Sequence, residues 1–402
     1  MIVSKCFKYE LKPTREQYVV FDKIAGCCRY VWNKGLELKK KLWEEEKKNI
    51  SRFELDRLLV GRKKEFDWLK MPPSQSLQQV NKDLEQAFKA FFAGNGYPKF
   101  KKKDGTNSFR LPQGFYLLKQ LSGKVGVVKL PKMGRVRFIK SREIEGNIKF
   151  VTVIKKCGKW YISFNCEVEM YVIKRGKNSE VGIDRGIVRF VQCSDGSAFS
   201  GLSIQKKIEK KLIRLQRKLA KKRKFSSNWR KILRKIKKIY SYIADKRKDY
   251  AHKISTQLAN NHSLIVMEDL KIANMTKSAR GSLENPGKNV KAKSGLNRSI
   301  LAQGWYAFQK FIEYKMLWRG GKVVYVDPKY TSQKCSKCGY ISKDNRRSQS
   351  VFKCIKCEYE LNADLNASKN ILAEGHSVLA CGEKTLVFSV NQELEKRKPH
   401  AV

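Results

Sequence analysis

Histidine is scarce in this chain. There are four in 402 residues, and none recurs at a spacing that would place two imidazoles on one metal ion. Any metal chemistry therefore rests on other ligands. No apolar run approaches the ~18 residues that a membrane span needs. The first residues, Met1-Ile2-Val3-Ser4-Lys5-Cys6-Phe7, lack the apolar core of a secretion signal. These absences predict a soluble protein with no membrane partner, cytoplasmic and nucleoid-associated in a prokaryote. Acidic residues are also few: 37 Asp and Glu against 87 Lys and Arg, a formal net charge of +50. Of eleven cysteines, four stand in two close pairs. The other seven, among them Cys6, Cys27, Cys28 and Cys166, are scattered, an odd number that reads as buried thiols in a reducing compartment.

A fold has no structural use for so large a basic excess, because self-repulsion opposes compaction. A polyanionic partner resolves it, and nucleic acid is the expected one. An acidic membrane surface is the rival. It is disfavoured because the basic residues run through the whole chain and no segment is an anchor.

The patterning predicts a multidomain α+β protein. Val3, Phe7, Tyr9 and Leu11 alternate as a half-buried strand, with Lys5 out of phase. Thr14 to Gln17 reads as a capping box, and helical spacing then carries a small helical domain over 14–93. Short alternating runs with turn residues between them follow from 107 to 172, at barrel-like intervals. The first strand is expected to join that sheet. Residues 181–203 read as strand, hairpin turn (Ser194 to Ser197) and strand. Lysine-rich helix over 204–260 breaks at Ser226 to Asn228 into an αα-hairpin. Leu264 to Met267 and Val323 to Val326 read as buried strands, with a loop over 277–297 and a helix over 299–319 between them. A last helix runs through Ala367, Ile371 and Leu372, and the tail after 376 has little pattern.

Cys335 and Cys338 form one CxxC knuckle, and Cys354 and Cys357 another, with fifteen residues between. Four thiolates in this arrangement fill a tetrahedral Zn2+ sphere and leave no open position, so the site is structural. Gly339 follows the first knuckle, where a left-handed turn prefers it. Glu358 stands in the equivalent place after the second, which implies strain or a different turn.

Three carboxylates draw attention. Asp184 lies on a strand, on the face opposite Val181 and Ile183. Glu268 ends the apolar run 264–267. Asp364 is in the first turn of a helix, where the macrodipole favours its ionised form. Each alone is bland: a turn residue, a polar stop, a helix cap. Their order is the layout of an RNase H-like nuclease. Three such acids can hold two Mg2+ ions, which activate water and stabilise the leaving oxygen in phosphodiester hydrolysis.

With these motifs the chain resembles the TnpB family, transposon-encoded RNA-guided DNA endonucleases with a RuvC-type domain, similar to compact type V CRISPR effectors. The carriers are Gly182-Ile183-Asp184-Arg185-Gly186, Val266-Met267-Glu268-Asp269-Leu270, the run Tyr330 to Gly339 with the second knuckle, and Asn362-Ala363-Asp364-Leu365-Asn366-Ala367-Ser368. The segments Tyr9 to Thr14 and Gly26 to Tyr30 also fit. The resemblance implies a wedge-type β-barrel at 1–13 and 106–172 and a helical recognition insert at 14–105. It implies a RuvC-like domain at 173–330 and 359–376, split by a zinc ribbon at 331–358, with a tail at 377–402. It implies a guide RNA encoded at the transposon end, one monomer per RNA, pairing with double-stranded target DNA beside a short motif read by the protein. Asp184, Glu268 and Asp364 would be the catalytic Mg2+ ligands. Two departures stand out: Arg185 where an apolar residue is more usual, and Ala363 where Arg is common. Neither removes a ligand.

Three rival readings share these residues: a nuclease-dead relative, a strand-transferring transposase, and a zinc-ribbon RNA-binding protein. All three acids are present, which disfavours the first. No second catalytic constellation suits the second.

Overall fold

The computed structural model describes residues 2–103, 105, 107–122, 124–170, 179–202 and 206–381. The chain divides into two compact units, 1–170 and 171–402.

In the first unit β1 (Ile2–Lys12) is followed by α1 (Arg15–Glu46), α2 (Arg52–Glu65) and α3 (Ser74–Phe92). Six strands come next: β2 (Asn107–Leu111), β3 (Tyr116–Ser122), β4 (Val125–Leu130), β5 (Gly134–Ile139), β6 (Asn147–Lys156) and β7 (Lys159–Glu169). They form one antiparallel sheet in the order β2-β6-β7-β1-β5-β4-β3. Thus β1 lies at its centre, with Ile2 opposite Glu169 and Leu11 opposite Phe138. The three helices are an insertion between β1 and β2. The sheet has edges at β2 and β3, and no ladder among the described residues joins them. The sequence pattern did not reveal β3.

Val3, Phe7, Tyr9 and Leu11 are buried, as their alternation predicts. The Thr14 hydroxyl accepts from the Gln17 amide at 3.2 Å, and the Gln17 side chain accepts from the Thr14 amide at 3.1 Å. These two bonds satisfy donors that a helix start otherwise leaves orphaned. From there α1 runs unbroken through Gly26. Its Phe21 ring packs against Trp160 at 5.4 Å and Phe109 at 5.9 Å, seating the helix on the sheet. Cys27, Cys28 and Cys166 are buried, but Cys6 is exposed on β1. Position 6 is on the face opposite the core residue Phe7, which corrects its reading as a buried thiol.

The second unit opens with β8 (Glu180–Asp184), β9 (Arg189–Cys193) and β10 (Ala198–Ser200). These are three strands where the sequence suggested two, because a turn at 185–188 separates β8 from β9. Then come α4 (Lys206–Ala220), α5 (Ser227–Asn261) capped by Ser226, and β11 (Leu264–Glu268). Next are α6 (Ile272–Met275), α7 (Val290–Gln303), α8 (Trp305–Trp318) and β12 (Lys322–Val326). A short hairpin, β13 (Val351–Lys353) and β14 (Glu360–Asn362), precedes α9 (Ala363–Ala380). The sheet order is β10-β9-β8-β11-β12, with β8, β11 and β12 parallel. The multidomain α+β organisation read from the sequence is borne out.

Every residue of β11 is buried. Ile265 and Met267 pack on the α5 and α8 side with Val181, Ile183 and Phe308. Leu264 and Val266 pack on the other side with Ile371 of α9. The strand is apolar throughout because it has a helix layer on each face. The expected loop at 277–297 and single helix at 299–319 are corrected. Helix α7 starts at Val290, and Gly304, at φ 68°, ends it before α8 begins. Only a residue tolerant of the left-handed region makes that break cheaply. The last helix continues to Ala380, past the expected limit of 376. The rest of the expected tail, from 382 on, lies outside the described residues.

Candidate active site and metal centre

Asp184 ends β8 and Glu268 ends β11, its parallel neighbour. Ile183 stands opposite Met267 in the ladder, so the two acids follow side by side at the carboxyl ends. Alternation sends Val181 and Ile183 to the α5/α8 core and leaves Gly182 and Asp184 on the opposite face. Leu264, Val266 and Glu268 share that opposite face by the same parity, and α9 covers it.

Helix α9 is seated at very close range. A Cβ built on Gly182 would lie 2.2 Å from the Ser368 carbonyl oxygen and 2.7 Å from the Leu372 nitrogen. A Cβ built on Gly375 would lie 2.5 Å from the Val266 side chain. The glycine before Ile183 is there to let a helix backbone through. The helix start is fixed by Asn362, whose side chain accepts from the Leu365 amide at 3.3 Å. Asp364 then stands in the first turn, delivered to the ends of β8 and β11.

The charges feel one another. Burial raises the Asp184 carboxyl to about 7, and the neighbouring Glu268 and Asp364 push in the same direction. The Arg346 guanidinium and the Arg185 amide oppose that rise. Glu268, 8% exposed, is also raised by burial, against a hydrogen bond from Thr331 and the charge of Arg185. The Thr331 hydroxyl donates to Glu268 Oε1 at 2.7 Å. Arg346 Nη2 lies 3.7 Å from Asp364 Oδ1. Arg185, 4% exposed, donates through Nη2 to the Glu268 carbonyl at 2.5 Å. So the arginine that departs from the usual apolar residue braces the backbone beneath one of the acids.

Three clustered carboxylates repel unless cations are placed among them. The set offers only oxygen ligands and so suits Mg2+ better than a thiophilic metal. Among the described residues, the one group of three or more His, Cys, Asp or Glu whose ligand atoms all lie within 4.8 Å of one another is the four cysteines. The three acids are set more widely apart.

The cysteines form matched turns. Gly339 N–H bonds to the Cys335 carbonyl at 2.9 Å, and Glu358 N–H to the Cys354 carbonyl at 3.0 Å. Glu358 adopts φ 56°, beside 77° for Gly339, so the two turns share a left-handed shape despite the bulkier residue. Sulfur separations are 3.7 Å for Cys335 and Cys357 and 3.6 Å for Cys338 and Cys354. A tetrahedron of 2.3 Å Zn–S bonds has an edge of about 3.8 Å, so the thiols already fit a Zn2+ ion. Buried Asn345 ties the knuckles together. Its Nδ2 donates to the Gln333 and Tyr340 carbonyls, and its Oδ1 accepts from the Ile355 amide.

The ribbon is also fastened to α9. Asn366 accepts from the Ser336 amide at 3.0 Å and donates to the Lys334 carbonyl at 2.8 Å. Asn370, one turn on, donates to the Thr331 and Lys334 carbonyls. The asparagines at 362, 366 and 370 thus cap the helix and dock the ribbon. Thr331 and Arg346, which bring the ribbon to Glu268 and Asp364, were missed in the sequence. The four-residue spacing of Asn366 and Asn370 on one helix face was the available signal for the docking.

Three family patterns match the chain. One described as "Probable transposase" (OrfB_IS605) covers residues 163–279, and a Cas12f1-like TNB domain covers 305–371. One described as a helix-turn-helix domain covers 1–48, where the structure has β1 and the single helix α1. The chain is 47% identical to "Putative RNA-guided DNA endonuclease InsQ" of Escherichia coli (strain K12), over 94% of each protein. It is 29% identical to a "Putative RNA-guided DNA endonuclease" of Streptomyces pristinaespiralis, over 95% of this chain and 92% of that one. Among solved structures, a Cas12f1 protein in complex with sgRNA and target DNA shares the fold, with a TM-score of 0.58 at 16% identity, over 89% of this chain and 83% of that one.

Proposed function

We propose, because the chain belongs to the TnpB family with InsQ and its relatives, that it cuts DNA at sites chosen by a guide RNA. Asp184, Glu268 and Asp364 are the cutting centre in this reading. Bound there, Mg2+ would supply Lewis-acid activation of water and stabilisation of the leaving oxygen at a phosphodiester. The chain's own residues set the stage. Burial and mutual repulsion keep Asp184 partly protonated near neutrality, poised to exchange its proton for a cation. Thr331 fixes the rotamer of Glu268. Arg346 reaches Asp364 from the ribbon and would place a positive charge where an anionic phosphate arrives.

The remaining parts take supporting roles. The seven-stranded sheet would serve as the wedge that holds the guide RNA, with α1 to α3 as the recognition insert. The dense lysines and arginines of α4 and α5 suit contact with phosphates, since base pairing carries the sequence information and the protein tracks the backbone. The guide would be encoded at the transposon end. The four cysteines would hold a structural Zn2+.

One observation carries this reading: the carboxylates of Glu268, at the end of the strand beside β8, and Asp364, in the first turn of α9, both lie within electrostatic reach of Asp184. The test is Asp184→Ala, assayed for guide-dependent DNA cleavage and separately for RNA binding. Cleavage is expected to vanish while RNA binding persists. DNA breaks at an undiminished rate in that variant would sink the three-acid centre.

A further inference from the structure

Away from the acidic centre, the first unit contains a cavity of about 90 Å3 between α1, α3 and β2. That is room for several water molecules, which need roughly 10–15 Å3 each, or for one tetrahedral oxyanion. Two of its lining residues carry a buried polar atom with no hydrogen-bond partner, Ser76 Oγ and Arg110 Nε. Ser76 itself is 1% exposed. Buried polar atoms are nearly always paired, so two orphans on residues that line one space call for an occupant. Arg29 and Lys101 also line the cavity, and Asp83 is its one acid. Three cations against one anion leave two positive charges in excess.

The acid makes no hydrogen bond to either orphan. Asp83 Oδ1 accepts from Gln79 Nε2 at 2.8 Å and sits 3.5 Å from Arg110 Nη1. Ser76 stands in the first turn of α3, whose N-cap residue Pro73 makes no side-chain hydrogen bond, so no capping group neutralises the positive helix end. Water could fill the space but would leave the charge excess unanswered.

We infer that this cavity is a phosphate-binding site, held by Ser76, Arg110, Arg29 and Lys101. A guanidinium fork with a hydroxyl beside it is the donor set that a phosphate group accepts. The phosphate belongs either to a nucleic-acid backbone or to free inorganic phosphate. The pocket is separate from Asp184, Glu268 and Asp364, so its failure leaves the nuclease reading intact.

The test titrates the full chain with inorganic phosphate at constant ionic strength, chloride being the control, and follows thermal unfolding and 31P line broadening. A saturable upward shift is expected for the native protein. Ser76→Ala removes an orphaned hydroxyl and is expected to fold at least as well without phosphate, yet to need roughly tenfold more phosphate for the same shift. Arg110→Gln is expected to weaken the response at least as much. If Arg110→Gln does not fold, Ser76→Ala carries the test alone. Binding of guide RNA and of duplex DNA to the same variants separates the sources. A loss of similar size with either assigns a backbone phosphate, and unchanged binding assigns free phosphate. No phosphate-specific shift in the native protein, or one that Ser76→Ala leaves unchanged, overturns the inference.

Discussion

The carbonyl of Ser368 passes over Gly182 so closely that even a methyl group there would meet it at 2.2 Å. The contact is backbone against backbone, so neither side can swing away. Gly182→Ala is therefore expected to lift α9 off β8, at a cost of roughly 1–3 kcal/mol. Asp364 moves with the helix. Thermal unfolding checks the first effect. DNA cleavage falling further than RNA binding checks the second.

A proton and a cation compete at Asp184. Its folded-state carboxyl titrates near 7, whereas an unfolded aspartate titrates at about 3.9. The folded state therefore binds more protons between these values. Stability without divalent metal is fully present below about 4, falls as pH rises through 7, and levels off above. Added Mg2+ is expected to reverse the loss on the alkaline side, and Asp184→Asn to flatten the profile. Melting temperatures measured from pH 5 to 8.5, with and without Mg2+, decide it.

Arg346 leans on Asp364 and lowers the Asp184 carboxyl from a distance. Its replacement by alanine is expected to reduce cleavage about 10–100-fold, the range for groups that orient metal ligands. The pH midpoint of cleavage is expected to move upward as well. A flat loss of rate with an unmoved midpoint would mean that Arg346 acts on the substrate alone.

Disrupting the four cysteines is expected to reach the acids too. Thr331 and Arg346 belong to the segment that the knuckles and Asn345 hold in shape. Native protein is expected to carry one zinc per chain by elemental analysis, and Cys354→Ser to lack it and to lose cleavage although Asp184 and Glu268 stay in their strands. Full activity in zinc-free protein would show that the ribbon is not needed for the acids.

What could be read from the sequence was local. The capping box at Thr14 and Gln17, the alternation of β1, the apolar run of β11 and the paired CxxC turns are each written within a few residues. So is the parity that sets Asp184 against Val181 and Ile183. The long-range pieces were silent. Thr331 and Arg346 are ordinary polar residues until the ribbon folds back on α9. The β8–β9 turn hides in a short run with one glycine, and β3 lacks a clean period of two. Glu358 looked like a misfit, yet its left-handed backbone simply repeats the geometry of Gly339. Helix α7 mixes polar and apolar residues and buries only Ile300, so its start at Val290 carries little amphipathic signal.

The placement of β1 at the centre of its sheet bears on how the chain is made. Ile2 pairs with Glu169, so the first strand of this unit to leave the ribosome waits for the last one. At 5–20 residues per second that wait is about 10–30 s. Meanwhile α1 to α3 are already out, able to form local turns but without the sheet that covers Phe21. Nascent chains of this protein are therefore expected to need a chaperone's shelter until residue 169 emerges, and to be most sensitive to stalling just before it.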